Sequence, residues 1–359
     1  MLYNLKLFFR QFVFANVFWI LACTLFILIR FLAYGEDQGE IYANPKNQVP
    51  ITEWIHYGLI AGIMVGVSYA IIEFLFEKFI TKNIYLGLAV IFKIFLYIFV
   101  LIFTLTFVLR LIELEMDIDL PNQRGWWIDN TIFWLASSYF FITSFLFLFI
   151  KIANEKFGKG VLFNMLIGKY RKPTEEDRIF MFLDLKASTT IAEKMGHNKY
   201  SQLLQDCFFD LNKIVDRYSG EIYQYVGDEA VISWPIKKGL RHNNCIALYF
   251  AFRKLLKKRQ KYYNRNYGLL PFFKAGLHGG RLIITEVGVV KKELAFHGDV
   301  INTTARIQDE CNKYNESLLI SESLLKEVYF KSKYLINEIG NLELKGKKES
   351  IKVFAINEK

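Results

Sequence analysis

The chain has 359 residues, 53% hydrophobic, 17% aromatic and 22% charged, with a formal net charge of +10. So much apolar surface excludes a disordered chain, and 34 phenylalanines gathered largely in the N-terminal half argue against a wholly soluble globule. The four cysteines, Cys23, Cys207, Cys245 and Cys311, lie far apart with no CxxC pair. That pattern argues against a disulfide scaffold or structural zinc and for reduced thiols in a cytosolic compartment. Basic residues flanking membrane segments explain the positive charge more simply than a nucleic-acid polymer as partner.

Four apolar runs precede residue 151: 11–29, 54–72, 84–109 and 131–150. Each is close to the roughly 20 residues that a helix needs to cross a bilayer core. Residues 1–151 are therefore expected to form an all-α transmembrane bundle of four helices in a lipid membrane. The first and third connections are acidic, with Glu36, Asp37 and Glu40, then Asp117, Asp119 and Asp129. The N-terminal tail (Lys6, Arg10), the second connection (Lys78, Lys82) and the segment after the fourth run (Lys151, Lys156, Lys159) are basic. Positive-inside bias then makes this an integral protein of the cytoplasmic membrane, with both termini in the cytoplasm and Trp54, Trp126 and Trp127 at the outer interface. Lys93 is the one charge expected inside a span. It is read as snorkelling from the inner boundary rather than as a ligand or ion site.

Residues 152–174 are expected to be a helical linker: Phe157, Val161 and Met165 recur at four-residue steps, and Pro173 ends the pattern. Either a dimerising signalling helix or an ordinary packed helix fits. The remaining residues, 175–359, alternate in period. A strand over 179–183 is followed by a helical stretch to about Tyr218. Strands over 221–226 and 230–234 flank the turn signal Gly227-Asp228-Glu229. A helix over 243–261, strands over 272–278 and 282–287, and a helix over 300–311 complete the order. This is an α+β, ferredoxin-like split βαβ arrangement, and it brings Asp184 and Asp228 together at adjoining strand ends. The basic run 253–261 reads as a solvated helix face.

Paired carboxylates without a histidine cluster suit Mg²⁺ or Mn²⁺. The stretch Leu185-Lys186-Ala187-Ser188-Thr189 enters a helix N-terminus, a natural phosphate cradle. Together they point to phosphoryl or nucleotidyl transfer.

Four segments carry a more specific signal: Phe180-Met181-Phe182-Leu183-Asp184-Leu185; Tyr225-Val226-Gly227-Asp228-Glu229; the run from His297 through Gly298, Asp299, Val300, Ile301, Asn302, Thr303, Thr304 and Ala305 to Arg306; and Leu344-Lys345-Gly346-Lys347. In order and spacing they resemble the class III adenylate/guanylate cyclase catalytic domain over roughly 175–357. The resemblance implies a class III nucleotide cyclase fold with Asp184, Leu185 and Asp228 at the metal positions, two cations per site. It places Leu185, Lys186, Ala187, Ser188, Thr189 and Gly227 on the substrate phosphates. Asn302 matches the ribose-positioning asparagine. Arg306 and Lys345 match the cations that neutralise the α- and terminal phosphates. In this family the site forms between paired domains, so a homodimer with two equivalent sites is implied.

The base-reading positions depart from the family's pattern. Gln224 stands where adenylate cyclases usually carry lysine, and Ala295 where they carry aspartate or threonine. The implied reaction is conversion of ATP to 3′,5′-cyclic AMP and pyrophosphate, with GTP the alternative substrate. Two weaker alternatives are a diguanylate cyclase-like enzyme and an inactive dimerisation or receptor module. Val226 and Ala230 depart from the first, and the retained polar residues weigh against the second.

Overall fold

A computed structural model describes residues 2–34, 51–76, 85–116, 131–157, 161–290, 292–329, 333–343 and 350–359. The chain divides into two compact units, Met1–Ala153 and Asn154–Lys359.

The first unit is built from α1 (Leu2–Tyr34), α2 (Ile51–Leu75), α3 (Leu86–Met116) and α4 (Thr131–Phe157), whose last residues run into the second unit. Each contains a stretch long and apolar enough to cross a membrane: Gln11–Leu32, Ile51–Leu75, Gly87–Glu115 and Phe133–Asn154. Connections 35–50, 77–84, 117–130 and 158–160 lie outside the described residues, and with them Lys78, Lys82, Trp126, Trp127 and most charges on which the expected orientation rests. Helices α1 and α2 approach to backbone contact because α2 presents glycine there. A β-carbon at Gly62 would sit 2.7 Å from Ile20 Cα, and one at Gly66 2.7 Å from Asn16 Cα. Small residues of this kind let helices gain dispersion contacts where no water drives them together. Large rings fill the centre: Trp19 stacks on Phe140 at 5.1 Å, and Tyr69 on Tyr97 at 3.8 Å.

The expectation for Lys93 needs correction. Its ammonium does not snorkel; it lies 2.8 Å from the carboxylate of Glu73, which is 2% exposed. Tyr97 donates to the other Glu73 oxygen at 2.5 Å, and Lys151 of α4 also pairs with Glu73. Nor is Lys93 the single charge of the spans, because Glu73 and Lys151 fall within the second and fourth. One carboxylate thus ties α2 to α3 and α4. Buried unpaired, it would be several kcal/mol more costly.

The expected helix over 152–172 stops short. After α4, α5 (Val161–Leu166) ends six residues before Lys172, and Gly168 takes a left-handed conformation (φ +74°) that turns the chain. Then follow β1 (Thr174–Leu185), α6 (Ser188–Met195), α7 (His197–Val215), β2 (Glu221–Val226), β3 (Glu229–Pro235), α8 (Ile236–Leu240), α9 (Asn244–Lys258) and α10 (Gln260–Tyr267). The chain continues through β4 (Phe273–Val287), β5 (Glu293–His297), α11 (Asp299–Lys313), β6 (Leu318–Ser321), α12 (Glu322–Glu327), β7 (Tyr334–Leu342) and β8 (Ile351–Glu358). Among the described residues the sheet has the order β2-β3-β1-β4-β6-β8-β7, with β5 added on β4. Its first four strands are antiparallel throughout, the split βαβ arrangement expected from the sequence.

Alternation along β1 separates two faces. Ile179, Met181, Leu183 and Leu185 pack with Leu203, Cys207 and Leu211 of α7 and Ile246 and Tyr249 of α9. Phe180 and Phe182 face the other way, toward Val300 and Ala305 of α11. Two differences from the expected elements have clear causes. The helix ending near Tyr218 breaks at Gly196 (φ +78°) into α6 and α7. The two strands expected over 272–287 are one, because Gly279 and Gly280 stay in register with Ile179 and Arg178 instead of turning. There a β-carbon on Gly280 would press on Val300 at 2.9 Å.

Gly276 matters most. A β-carbon there would meet the backbone of α11 at Gln308 N (2.5 Å), Gln308 Cα (2.8 Å) and Thr304 O (2.8 Å). Gly276→Ala should therefore lift α11 and cost about 1–3 kcal/mol in overpacking strain. Thermal unfolding of the purified full chain checks this; unchanged stability would mean the helix is not seated against the strand.

Candidate active site

Asp184 is the next-to-last residue of β1. Register sets it between Glu229 of β3 and Lys274 of β4, and directly opposed residues share a face of the sheet. Lys274 is buried, and its Nζ lies 3.4 Å from Asp184 Oδ2. Gln308 of α11 donates from Nε2 to the same oxygen at 3.3 Å. Asp228 arrives from the other side through the β2–β3 turn. Val226 and Glu229 close that two-residue loop, and Gly227 adopts φ +61°, the first-position requirement of a hairpin turn of this hand. The expected meeting of Asp184 and Asp228 occurs: the Asp228 carboxylate lies close enough to raise the Asp184 carboxyl.

The electrostatics follow from this crowding. Burial first, then the facing Asp228 carboxylate, push the Asp184 carboxyl up to about 6, while Lys274 pulls it down. Burial, with Asp184, Asp309 and Asp228 nearby, pushes Glu229 up to about 7. Burial also raises Asp309, against the pull of Lys274. Several carboxylates thus compete around one buried ammonium, a deficit of positive charge that a divalent cation would relieve. Among the described residues no group of three or more His, Cys, Asp or Glu side chains is arranged to hold a metal ion. The donor set fits a hard cation that takes one or two carboxylates and completes its shell with phosphate oxygens and water, as Mg²⁺ does.

Between β1 and α6, Leu185 is buried and Lys186 N donates to Phe272 O at 2.8 Å. Ala187 sits in the left-handed region (φ 59°, ψ 34°), a strained conformation for a non-glycine residue. No side chain caps α6, so its first-turn amides have no side-chain acceptor. Lys186, Ala187 and Thr189 are exposed and Ser188 is half-buried. An anion is the natural occupant of such an end.

Asn302 and Arg306 lie four residues apart on α11. Asn302 is exposed and Arg306 half-exposed, while Thr303, Thr304, Ile307 and Gln308 are buried. Among the described residues neither side chain makes a hydrogen bond or ion pair. Gln224 on β2 is exposed and Ala295 on β5 half-buried. Their strands are separated in sheet order by β3, β1 and β4. Their chain neighbours meet instead: Tyr223 stacks on Phe296 at 4.5 Å and both rings meet Phe180. Lys345 lies outside the described residues.

Lys274, Gln308, Glu229 and Asp309 were not singled out from sequence. Lys274 had a legible signal, a lone lysine within an otherwise apolar strand run. Gln308 had none, since its role depends on how deeply α11 sits.

A pH dependence follows. Folding raises these carboxyls, so the metal-free fold binds protons more tightly than the unfolded chain. Their contribution to stability is fully present below about pH 4. It is lost as pH climbs through about 6 for Asp184 and about 7 for Glu229. Metal-free protein should therefore lose thermal stability between pH 5 and 8, and Asp184→Asn should flatten that loss. Mn²⁺ should raise Tm more at about pH 8 than at about pH 5.5, because the ligands must be deprotonated. Equal increments at both values would contradict the arrangement.

The family profile for the adenylate and guanylate cyclase catalytic domain matches residues 171–358. Adenylate cyclase 2 of Rhizobium meliloti (strain 1021) is 34% identical over 218 residues, 61% of this chain and 60% of that protein. An adenylate cyclase of Anabaena cylindrica is 23% identical over 186 residues, 49% of this chain and 36% of that one. The chain thus spans less than two thirds of the length of these relatives. A solved bacterial light-regulated adenylyl cyclase superposes with a TM-score of 0.53 at 19% identity, over 64% of this chain and 67% of that one, a likeness of fold. With the profile spanning more than half its length, the chain belongs to the adenylate and guanylate cyclase catalytic domain family.

Proposed function

We propose that this chain is a membrane-anchored adenylate cyclase, acting as a homodimer that converts ATP to 3′,5′-cyclic AMP and pyrophosphate. The observation that carries the proposal is the convergence of Asp184 and Asp228 beside an uncapped helix end. The relative that is 34% identical is named for the same activity. The bond formed joins the ribose 3′-oxygen to the α-phosphorus, and the bond broken releases pyrophosphate. Two Mg²⁺ or Mn²⁺ ions, when bound, lower the pKa of the 3′-hydroxyl and offset charge on the leaving group. Asp184, Asp228 and the main chain at Leu185 would hold them. The amides around Ala187 to Thr189, with Lys186 and Gly227, orient the phosphates. Asn302 positions the ribose of a nucleotide bound mainly by the partner chain, and Arg306 and Lys345 neutralise its phosphates. The unpaired tips of Asn302 and Arg306 support service to a second copy.

The anchor is supported by an inverted surface: Phe92, Phe95, Phe99 and Phe103 of α3 are 52–68% exposed. Aromatic residues at helical spacing facing outward suit lipid, not water. The basic residues that flank the spans support a cytoplasmic position for the catalytic unit and both termini.

A shared site gives complementation. Asp184→Ala and Asp228→Ala should each abolish turnover, and Arg306→Ala should lower it by roughly 10³-fold or more. Coexpressed Asp184→Ala and Arg306→Ala chains should recover about a quarter of wild-type activity by random pairing, one site per heterodimer being intact. Tagged heterodimers that purify together yet remain inactive would contradict sharing.

Base selection should be loose. Gln224 can present either a donor or an acceptor, and Ala295 presents only a methyl group. No buried polar group penalises the wrong purine, so kcat/KM should favour ATP over GTP by about 10–200-fold. A ratio above roughly 10⁴ would require another base-reading residue, and a preference for GTP would make this a guanylate cyclase.

A further inference from the structure

Between Glu229 and Glu286 the chain contains no acidic residue, while residues 230–285 carry 12 lysines and arginines. The rest of the protein holds 33 basic residues against 35 acidic ones, so this segment supplies the entire positive excess. Some of these cations are engaged: Lys274 with Asp184, Arg259 with Asp210, Arg281 near Glu175 and Asp177, and Lys238 near Glu221. Six others line α9 and α10. Arg253, Lys254, Lys257, Lys258, Lys261 and Arg265 are all exposed, and among the described residues none has an ion-pair partner. On α9 their spacing confines them to about 140° of arc, and Lys261 and Arg265 continue the band. Phe252, Leu256 and Tyr263 fill the inward face. The nearby acids of α7 are already engaged by other groups: Asp206 accepts from Tyr262 and Tyr267, and Asp210 from Tyr263 and Lys213. Like charges at such spacing destabilise a helix, so folding does not account for them.

We propose that the α9–α10 face docks on an anionic lipid surface. The proposal rests on the membrane anchor above, which keeps this unit close to a bilayer and makes the second contact effectively intramolecular. A flat band of cations flanked by the exposed ring of Tyr262 (38%) and by Leu270 (37%) matches headgroups at an interface. Position within the unit also allows it. α9 covers the sheet face of Ile179 and Met181, whereas α11, with Asn302 and Arg306, covers the opposite face. A bilayer on α9–α10 leaves the site and its pairing face open.

The test uses the full chain in lipid nanodiscs of phosphatidylcholine, alone or with about 30% phosphatidylglycerol. Lysine acetylation is followed by mass spectrometry. Lys254, Lys257, Lys258 and Lys261 should react at least about fivefold more slowly in anionic discs, and high salt should remove the protection. Exposed Lys326 on α12 should react equally in both. Lys257→Glu with Lys258→Glu should release Lys254 and Lys261 while turnover in detergent stays unchanged. Equal rates in the two discs would overturn the docking. So would protection given by added RNA but not by anionic lipid, which would assign the face to a nucleic-acid polymer. Carbonate extraction of native membranes separates the two proposals. Release of the chain would sink the anchor, whereas a retained chain with equal rates sinks the docking alone.

Discussion

The distance between α11 and the sheet governs the catalytic unit, and a missing methyl group sets it. With hydrogen alone at Gly276, the helix backbone rests on β4. From that depth Gln308 reaches Asp184, and Thr303 and Thr304 are sealed beneath the helix. Asn302 and Arg306 stay at the rim because their neighbours fill the space below. Close-packed interiors transmit strain instead of absorbing it, so a shift of α11 reaches the proposed metal ligand Asp184 and the proposed transition-state groups together.

Much of this was legible in the chain. The period changes located β2, β3 and α11 to within a few residues, and the turn signal at Gly227 placed Asp228 correctly because a positive φ there admits little else. Errors arose where glycine has two physical uses. Gly279 and Gly280 read as a turn, yet they serve close packing against Val300 and Leu324. Gly196 lay inside an apparently continuous helix and breaks it. The apolar period over 152–172 ran past Gly168, where the backbone turns. Lys93 was misread for a different reason: its partner Glu73 sits one residue beyond a charge-free run, and only tertiary packing brings the two together. Lys274 differs: a lone lysine in an apolar strand was visible in the sequence, and the structure adds its cross-strand neighbour Asp184.

The two units treat buried charge in opposite ways. Glu73 meets two ammonium groups and a phenol hydroxyl, two cations for one anion. Asp184 and Asp309 share Lys274, Glu229 crowds beside them, and the group remains short of positive charge. The first arrangement is complete without any visitor. The second is unfavourable until a cation arrives, and that is the physical basis for reading it as a site. Sequence distance does not separate the two cases; the count of donors around each carboxylate does.

The Glu73 cluster also bears on how the chain could enter a bilayer. Helix α2 emerges from the ribosome before α3, and a lone charge placed in hydrocarbon costs about 2.5–3.5 kcal/mol on insertion scales. Glu73 lies near the end of α2 and Lys93 near the start of α3, so a hairpin of the two carries its own neutralising partner. Insertion as a pair is then cheaper than insertion in single file. Lys151 joins only when α4 has been made, and because Lys93 already neutralises Glu73, the cluster carries no net charge before then. Helix α4 then docks on a pair that is already neutral, and Lys151 leaves the finished cluster with one cation in excess.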